Sequence, residues 1–535
     1  MTVYDVVVVG GGSAGCVVAS RLSEDRSRQV LLLEAGPDYP SRDSLPPALA
    51  DVRRVPMRGH APDPDPRHDW GLTFAGKDGS PISVPQGRAI GGGSSINGAI
   101  SLRGATADYR EWADLGCPAW DWAHVLEAYR ALEDDTAGPP EVHGRGGPWP
   151  ISRAHEQEYG TLQKGFVDTC RSVGQPDCFD FNAPDAHGVG PVPMSRYGTR
   201  RVSAAIAYLN PARSRANLTV RCEVIVSRIL FEGERAVGVE LADGTTITAR
   251  EVILCAGAIA TPAVLQRSGV GPREILGEAG VDVLAELQVG ANLLDHYTIP
   301  LVAAPRQGTW APDDFSLQTA VRTSSSVQPG SLDMQLLMFS YLDANPTGAQ
   351  SEGGRGLAGP TSAGVGHVAG IGCVLNKPHA AGNVRILSKD PHQLPYVVPN
   401  YLDDDTDRLV IRELVRLGWD VISSEPLASL LHEPIGIDAN TVADDELLDA
   451  AIETMVASSY HFVGTCRMGR SDDDGAVVDE EGRVHGLEGL RVADASVIPT
   501  SPAANTMLPT LMVAERLAAA ARGHEFAKSG VAVAV

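Results

Sequence analysis

The chain has 535 residues, of which 44 are Lys or Arg and 67 are Asp or Glu, so its formal net charge is −23. Hydrophobic residues make up 43% of the chain and charged residues 21%, a balance typical of globular proteins that excludes disorder, collagen-like repeats and coiled coils. The negative net charge argues against a nucleic-acid or anionic-membrane partner, which would need a basic patch on the protein. The length predicts two or three domains.

The first 35 residues have the pattern of a βαβ unit. Val3–Val9 is a short apolar run suited to a strand that is buried on both faces. Apolar residues then recur at helical spacing between positions 14 and 22, and Val30–Leu33 supplies a second strand.

A glycine motif of the form G-x-G-x-x-G lies between this strand and this helix. Gly10 would permit the tight turn, Gly12 would let the backbone approach a pyrophosphate, and Gly15 would allow close helix–strand packing. Glu34 ends the second strand at the spacing where a carboxylate binds ribose hydroxyls and repels the 2′-phosphate of NADP. The motif therefore predicts a dinucleotide site for FAD or NAD, the alternative being a glycine-rich turn without a ligand.

Residues 38–90 are rich in Pro, Asp and Gly and predict a long excursion from the core, whereas residues 105–133 carry a helical pattern. Gly87–Gly98 contains three successive glycines followed by small hydroxyl residues, and such a backbone can pass very close to a flat ligand. A flexible, solvated loop is the alternative interpretation of this segment.

The middle of the chain alternates between sheet and loop signals. Leu218–Leu254 alternates apolar and polar residues and predicts an antiparallel meander that ends in a buried strand. A helix is expected around Ala260–Gln266, so Gly257 would stand at a second strand-to-helix turn that contacts phosphate, with ordinary helix capping as an equal alternative. Residues 342–370 are Gly-rich and predict a flexible surface loop, a candidate lid.

The C-terminal part begins with Ser459–Gly469, which holds His461 as a candidate base and Cys466 as a small buried residue. A strand-like segment, a loop and a helix opened by Pro509 follow over residues 491–521. Cofactor-type signals at both ends and in the middle indicate one nucleotide-binding domain interrupted by insertions that build a second domain.

The eight cysteines form no C-x-x-C pair and no Cys/His cluster at zinc spacing, so we expect neither a disulfide scaffold nor a metal site. The longest uncharged stretches, Val6–Ser20 and Val252–Gln266, are too short for a membrane span. With the first strand beginning at about Val3, we expect no secretory signal and a cytoplasmic location.

At these residues the sequence resembles the glucose–methanol–choline (GMC) flavoprotein oxidoreductases. The resemblance is collinear over nearly the whole chain, except for a looser match at residues 297–459. It rests on six segments in the family's order: Gly10–Gly15, Gly87–Gly98, Gly257–Gly271, Val289–His296, His461–Gly469 and Asp494–Asn505.

The resemblance implies bound FAD. It implies that Glu34 contacts the adenosine ribose and that the Val226 backbone contacts adenine. Ile96 departs from the pattern of the members that bind flavin covalently through this loop, because those members have His at this position. We therefore expect non-covalent FAD. The cofactor-binding residues that it implies are Gly10, Gly12, Ser13, Ala14, Gly15, Glu34, Ala35, Arg88, Gly92, Asn97, Gly98, Val226, Ala256, Gly257, Asp494, Ala495 and Thr506.

The resemblance also implies an α/β fold, α+β overall, with a Rossmann-like FAD-binding domain on a parallel sheet and a substrate-binding domain on an antiparallel sheet. We expect the FAD-binding domain to comprise residues 1–155, 201–296 and 460–535. The substrate-binding domain would comprise residues 156–200 and 297–459, and the latter would supply most of the walls of the substrate pocket.

By the same resemblance, His461 and Asn505 are the catalytic residues. The expected reaction is oxidation of an alcohol to an aldehyde or ketone, with hydride transfer to the flavin N5 atom, His461 as base and Asn505 orienting the hydroxyl. Oxygen or another electron acceptor would then reoxidise the flavin. A primary or benzylic alcohol is our first candidate for the substrate, with a sugar hydroxyl second, and nothing in the sequence favours choline. The alternative functions are a hydroxynitrile lyase and a non-catalytic flavin-binding protein.

Overall fold

The computed structural model describes residues 3–53, 65–75, 81–343 and 367–523. Two seven-stranded sheets organise it, one largely parallel and one antiparallel, and each carries its own hydrophobic core. The mixed α/β architecture agrees with the fold class that the sequence predicts.

The parallel sheet is built around Tyr4–Val9. This strand pairs in parallel with Val30–Leu33 on one side and with the end of Thr246–Leu254 on the other. The last four residues of the first strand and all four of the second are buried, as expected for strands covered by helices on both faces. Its other members are Leu218–Arg221, Val226–Glu232, Arg235–Leu241 and Leu490–Val492.

The predicted meander over residues 218–254 is correct only from Val226 onward. Leu218–Arg221 instead pairs in parallel with Val30–Leu33 and forms the edge of the parallel sheet. An edge strand exposes alternate residues to solvent just as a meander strand does, so the alternation in the sequence could not distinguish the two. The strand Thr246–Leu254 joins both arrangements, because it pairs antiparallel at its start and parallel at its end.

The antiparallel sheet has two unlike faces. One face packs against helix Asp405–Ile422, where Gly418 lets the helix approach closely, since a Cβ there would lie 2.5 Å from Cys373 Sγ. The opposite face borders a cavity. In spatial order the main strands are Leu431–Pro434, Tyr297–Pro305, His367–Leu375, Met334–Asp343, Leu317–Thr323 and Gly188–Pro191, and Ala457–Ser458 also pairs with Tyr297–Pro305.

The remaining elements connect or cover these sheets. Within the described ranges, four two-stranded sheets are formed by Leu72–Ala75 with Pro81–Val84, Glu133–Asp134 with Trp149–Pro150, Arg196–Tyr197 with Arg200–Arg201, and Asn383–Arg385 with Tyr396–Val398. The other α-helices are Ser13–Leu22, Pro47–Ala50, Gly93–Ile96, Thr106–Asp114, Trp122–Leu132, Thr161–Ser172, Asn210–Ala212, Gly257–Arg267, Arg273–Glu278, Ala439–Ala443, Asp445–Met455 and Met507–Ala521.

Two further expectations need correction. Residues 342–343 and 367–370 are strand rather than loop, because they belong to Met334–Asp343 and His367–Leu375, while 344–366 lie outside the described residues. The C-terminal helix begins at Met507, two residues before Pro509. Among the helices of the described ranges, none combines the length with the hydrophobicity that a membrane crossing would demand.

Candidate active site

Two cavities adjoin each other between the sheets. The first, here called the parallel-sheet cavity, lies at the carboxyl ends of the parallel strands, beside Val9, Leu33 and Cys255. Ligands of open α/β sheets bind in this position. The second, the antiparallel-sheet cavity, lies over the free face of the other sheet. Residues that line both cavities are Gln86, Gly87, Gly93, Tyr460, Thr506 and Met507.

Nearly all of the predicted site residues line one of these cavities. The antiparallel-sheet cavity takes in Asn97, Gly98, His461 and Asn505, and Thr506 borders both. Those that line the parallel-sheet cavity are Gly10, Gly12, Ser13, Ala14, Glu34, Ala35, Gly92, Val226, Ala256, Gly257, Asp494, Ala495 and Thr506.

Gly15 and Arg88 are the two predicted residues outside the cavity linings. Gly15 lies where the first helix packs on the first strand, and a Cβ there would collide with the carbonyl oxygen of Gly10. The guanidinium of Arg88 lies over the ring of Trp70, 5.1 Å from its centroid.

Glu34 presents a carboxylate to the parallel-sheet cavity. Its two oxygens accept hydrogen bonds of 2.8 Å from the backbone N–H groups of Gly11 and Gly36. Burial raises the pKa of this carboxyl to about 7, and the two amide hydrogen bonds oppose that rise. The two hydrogen bonds therefore fix the orientation of a carboxylate that borders this cavity.

Helix N-termini and a glycine contact give this cavity the character of a dinucleotide site. The helices that begin at Ser13 and Met507 have no side-chain cap, so their first amides remain available to an anion. The two glycine loops touch, because a Cβ on Gly92 would lie 2.7 Å from the Cα of Gly12. The helix that begins at Gly257 differs, because its first amide is already engaged. Asp494 accepts hydrogen bonds from the Gly257 N–H at 2.8 Å and from the Thr261 hydroxyl at 2.6 Å. Amides for a diphosphate and a carboxylate for a ribose therefore fit FAD.

His461 is held by a buried carboxylate. Its backbone N–H donates to Asp295 Oδ1 at 2.8 Å, while Asp295 Oδ2 accepts hydrogen bonds from the hydroxyls of Ser458 and Tyr401. Tyr460, just before His461, has a φ of 64°, a conformation that costs energy in a non-glycine residue and that this network maintains. The backbone at His461 is therefore fixed by its hydrogen bond to Asp295 and by the conformation of Tyr460 before it.

A second histidine fixes the proton of the His461 ring. His296 is fully buried, and its Nε2 lies 2.9 Å from the carbonyl oxygen of Pro502, which can only accept a hydrogen bond. Neutral His296 therefore carries its proton on Nε2, and its bare Nδ1 accepts a hydrogen bond from His461 Nδ1 at 3.0 Å. This leaves the Nε2 of His461 unprotonated.

The free nitrogen of His461 meets an amide. Its Nε2 accepts a hydrogen bond of 3.2 Å from Asn505 Nδ2, and Asn505 Oδ1 is buried without a hydrogen-bond partner among the described residues. Burial lowers the pKa of His461 to about 4, so the ring is neutral at physiological pH. A hydroxyl group placed here would meet a proton acceptor and a hydrogen-bond donor.

Sequence reasoning gave no role to His296 or Asp295. Both belong to the Val289–His296 segment on which the resemblance rests, and that segment is the signal that could have identified them. What the sequence lacks is the contact itself, because His296 and His461 are 165 positions apart.

The sequence profile of the GMC oxidoreductases matches two parts of the chain. Its N-terminal part matches residues 4–298 and its C-terminal part matches residues 378–514. All of the cavity residues named above lie within these two ranges. The strands Leu317–Thr323, Met334–Asp343 and His367–Leu375 of the antiparallel sheet lie between the two ranges.

Curated proteins and solved structures resemble the chain over nearly its full length. It is 35% identical to a 5-(hydroxymethyl)furfural oxidase of Methylovorus sp., over 97% of this chain and 98% of the relative. It is 32% identical to an oxygen-dependent choline dehydrogenase of Photobacterium profundum, over 98% and 94%. The crystal structure of a pyridoxine 4-oxidase from Mesorbium loti superimposes with a TM-score of 0.86 at 28% identity, over 98% and 100%.

Proposed function

The chain belongs to the GMC oxidoreductase family and is an FAD-dependent alcohol oxidoreductase, and from this premise we propose that it oxidises a CH–OH group to an aldehyde or ketone with His461 as base. One observation carries the proposal: the unprotonated Nε2 of His461 faces Asn505 in a cavity that adjoins the dinucleotide cavity. A substrate hydroxyl that displaces the Asn505 amide from this lone pair would meet a neutral imidazole able to accept its proton.

The chemistry explains why a base is needed. The carbon-bound hydrogen of an alcohol is not acidic, so it leaves with its electron pair, and bound FAD supplies the acceptor for that hydride. His461 Nε2 takes the hydroxyl proton, which raises the electron density on the oxygen and helps the hydride to leave. The Asn505 amide donates a hydrogen bond to the same oxygen and orients it. General-base catalysis of this kind contributes about 10²–10⁴ in rate.

The proposed mode of FAD binding follows the cavity. The amides at Ser13 and Ala14 would hold the diphosphate, Glu34 the adenosine ribose, and the Val226 backbone the adenine. The amide end of the helix beginning at Met507 would stabilise negative charge on the reduced ring. Ile96 offers no nucleophilic atom, so FAD would be held non-covalently.

We also propose that the chain divides by function between the two sheets. Residues 1–155, 201–296 and 460–535 would form the FAD-binding domain, and residues 156–200 and 297–459 the substrate-binding domain. The parallel sheet draws its strands from the first group, and the strands Gly188–Pro191 and Tyr297–Pro305 of the antiparallel sheet come from the second. Oxygen or another acceptor would reoxidise the flavin.

Replacement of the base tests the proposal. His461→Ala should keep the yellow flavin and the fold but should lose about 10²–10⁴ in the rate at which an alcohol bleaches the flavin without oxygen. His432→Ala, which removes an exposed histidine, should behave as the unaltered enzyme. An unchanged rate in His461→Ala would disprove the assignment.

A hydroxynitrile lyase on the same scaffold is the alternative that needs a base but no electron transfer. Anaerobic mixing with alcohols separates the two functions, because an oxidoreductase bleaches its flavin whereas a lyase leaves it yellow. A yellow flavin with every alcohol, together with cleavage of a cyanohydrin, would favour the lyase.

A further inference from the structure

The floor of the antiparallel-sheet cavity is the free face of the antiparallel sheet. Side chains at alternate positions point to one face of a strand, so Thr298, Pro300 and Val302 lie together on this face. On the neighbouring strand Gly372 pairs with Pro300, and Gly370 pairs with Val302. Apart from the Thr298 hydroxyl these positions are therefore apolar, and two neighbouring positions on this face, Gly370 and Gly372, carry no side chain.

The walls next to this floor are hydrocarbon. Leu337 and Phe339 lie on the strand Met334–Asp343, where they pair with Gly372 and Gly370, and Leu317 lies on the next strand, Leu317–Thr323. Ile96 and Met507 face the cavity from the side of the dinucleotide site. The hydroxyl-binding pair His461 and Asn505 thus opens onto a space surrounded mainly by apolar groups.

Formal charge is missing from this lining. Over residues 3–53, 65–75, 81–343 and 367–523, no Asp, Glu, Lys or Arg side chain borders the cavity. Asp295, which holds the backbone of His461, is buried and has both oxygens engaged by other groups. His461 itself is neutral at physiological pH. A charged ligand entering this cavity would lose its hydration without a counter-ion, and that loss is costly.

Resting on the proposed function, we propose that the substrate is an uncharged, largely hydrocarbon alcohol: a carbinol whose only required polar group is the hydroxyl bound by His461 and Asn505. The apolar remainder lies on the bare floor at Gly370 and Gly372, against Phe339. Burial of that remainder provides the binding energy. Among the described residues of this floor a quaternary ammonium finds no counter-charge, and a polyhydroxylated sugar finds no polar side chain other than Thr298.

Gly372 is the position where this inference can be altered by mutation. A Cβ there would lie 3.1 Å from Phe339 Cε2 and 3.5 Å from Thr298 Oγ1, so a larger side chain extends into the cavity. Gly370 is unsuitable, because a Cβ there would collide with the carbonyl oxygen of Leu301. The graded pair Gly372→Ala and Gly372→Val therefore reduces the space above the floor in two steps.

The test uses two alcohols of the same shape that differ in charge. Choline and 3,3-dimethylbutan-1-ol differ only in the replacement of the quaternary nitrogen by carbon. With the FAD-loaded enzyme under anaerobic conditions, we expect the neutral alcohol and benzyl alcohol to bleach the flavin with a second-order rate constant at least 100-fold above that of choline or glucose. Gly372→Val should lower this rate constant at least tenfold for the two bulky alcohols and much less for ethanol, with Gly372→Ala in between.

The outcomes separate this inference from the function on which it rests. Choline or glucose that bleaches the flavin as well as the neutral alcohols, or better, would overturn the substrate class and leave the alcohol oxidoreductase intact. A flavin that no alcohol bleaches would overturn both. The comparison of native-enzyme substrates remains decisive even if Gly372→Val fails to fold.

Discussion

His461 and His296 share a hydrogen bond whose direction is set at its far end. The carbonyl of Pro502 accepts a hydrogen bond from His296 Nε2–H, so the bare Nδ1 of His296 can only accept a hydrogen bond from His461 Nδ1–H. His296 is thus a positioning residue: it lines neither cavity but selects the tautomer of His461, the proposed base.

Removal of His296 should impair the base without removing it. In His296→Ala we expect bound FAD to be retained and kcat to fall about 10- to 100-fold, because His461 loses its tautomer control and its orientation. His296→Asn, whose amide can donate to Pro502 and accept from His461, should recover part of the loss. A purely structural role would instead give two variants with equally low kcat and equal loss of FAD.

The pH dependence of the reaction should reveal the burial of His461. Burial lowers its pKa to about 4, so the imidazole is neutral at higher pH and becomes protonated only as the pH falls through that value. We expect protonation of His461 to lower kcat/KM for an alcohol below about pH 4, approaching tenfold per pH unit. In His296→Ala, water admitted to the site should move this fall towards pH 6.5. Burial raises the pKa of Asp295, which binds the His461 backbone, to about 7, so the profile is compared with that of Asp295→Asn. A fall centred near 6.5 that persists in Asp295→Asn would contradict the assignment.

At the scale of elements, a buried ion network joins Glu133–Asp134 to the segments around it. The ring of His143 contacts Glu133 and Asp135 through Nδ1, at 3.1 and 3.2 Å, and Asp180 through Nε2 at 2.8 Å. Arg153 pairs with Asp135 and Asp180 and Arg103 pairs with Glu133, so three carboxylates meet three cations when His143 is protonated.

This network should make part of the stability depend on pH. Burial alone would lower the pKa of His143, but its hydrogen bonds to Asp135, Asp180 and Glu133 raise it to about 10. A raised pKa stabilises the fold fully below the unfolded value near 6.5, and the contribution is lost as the pH rises through 10. His143→Gln should therefore lower the stability at pH 6 by about 3 kcal/mol, with a smaller loss at pH 10. A loss that is equal at both pH values in thermal unfolding would contradict this.

The elements that could be predicted from the sequence are those whose pattern has one structural meaning. Val3–Val9 and the glycine motif after it predict a buried strand and a tight turn into a helix, and the structure contains both. The prediction that Leu218–Arg221 belongs to an antiparallel meander was wrong, because edge strands of parallel and antiparallel sheets show the same alternation of apolar and polar residues. The hydrogen bond between His296 and His461 could not be predicted, since no local pattern brings together residues 165 positions apart.

At the scale of the whole molecule, the parallel-sheet cavity is assembled from distant parts of the chain. Its lining begins at Val9 and ends at Thr510, with Ala256 and Gly257 from the middle. A ligand that bridges these segments binds only the folded chain, so its binding energy adds to the stability of the whole protein. The insertions between these segments carry the antiparallel sheet that provides the second cavity.

FAD should therefore stabilise the protein and yet leave it on unfolding. At a free FAD concentration 100-fold above its Kd, the stabilisation is about 2.7 kcal/mol, which should raise the Tm of the apoprotein by several degrees. ADP, as a control, should give a smaller rise, because it reaches only the part of the cavity near Glu34. Since Ile96 cannot form a bond to the ring, heat-denatured holoprotein should release all of its yellow colour into the supernatant. Colour that remains in the precipitate would show a covalent link, and a Tm indifferent to FAD would show that the folded chain does not bind it.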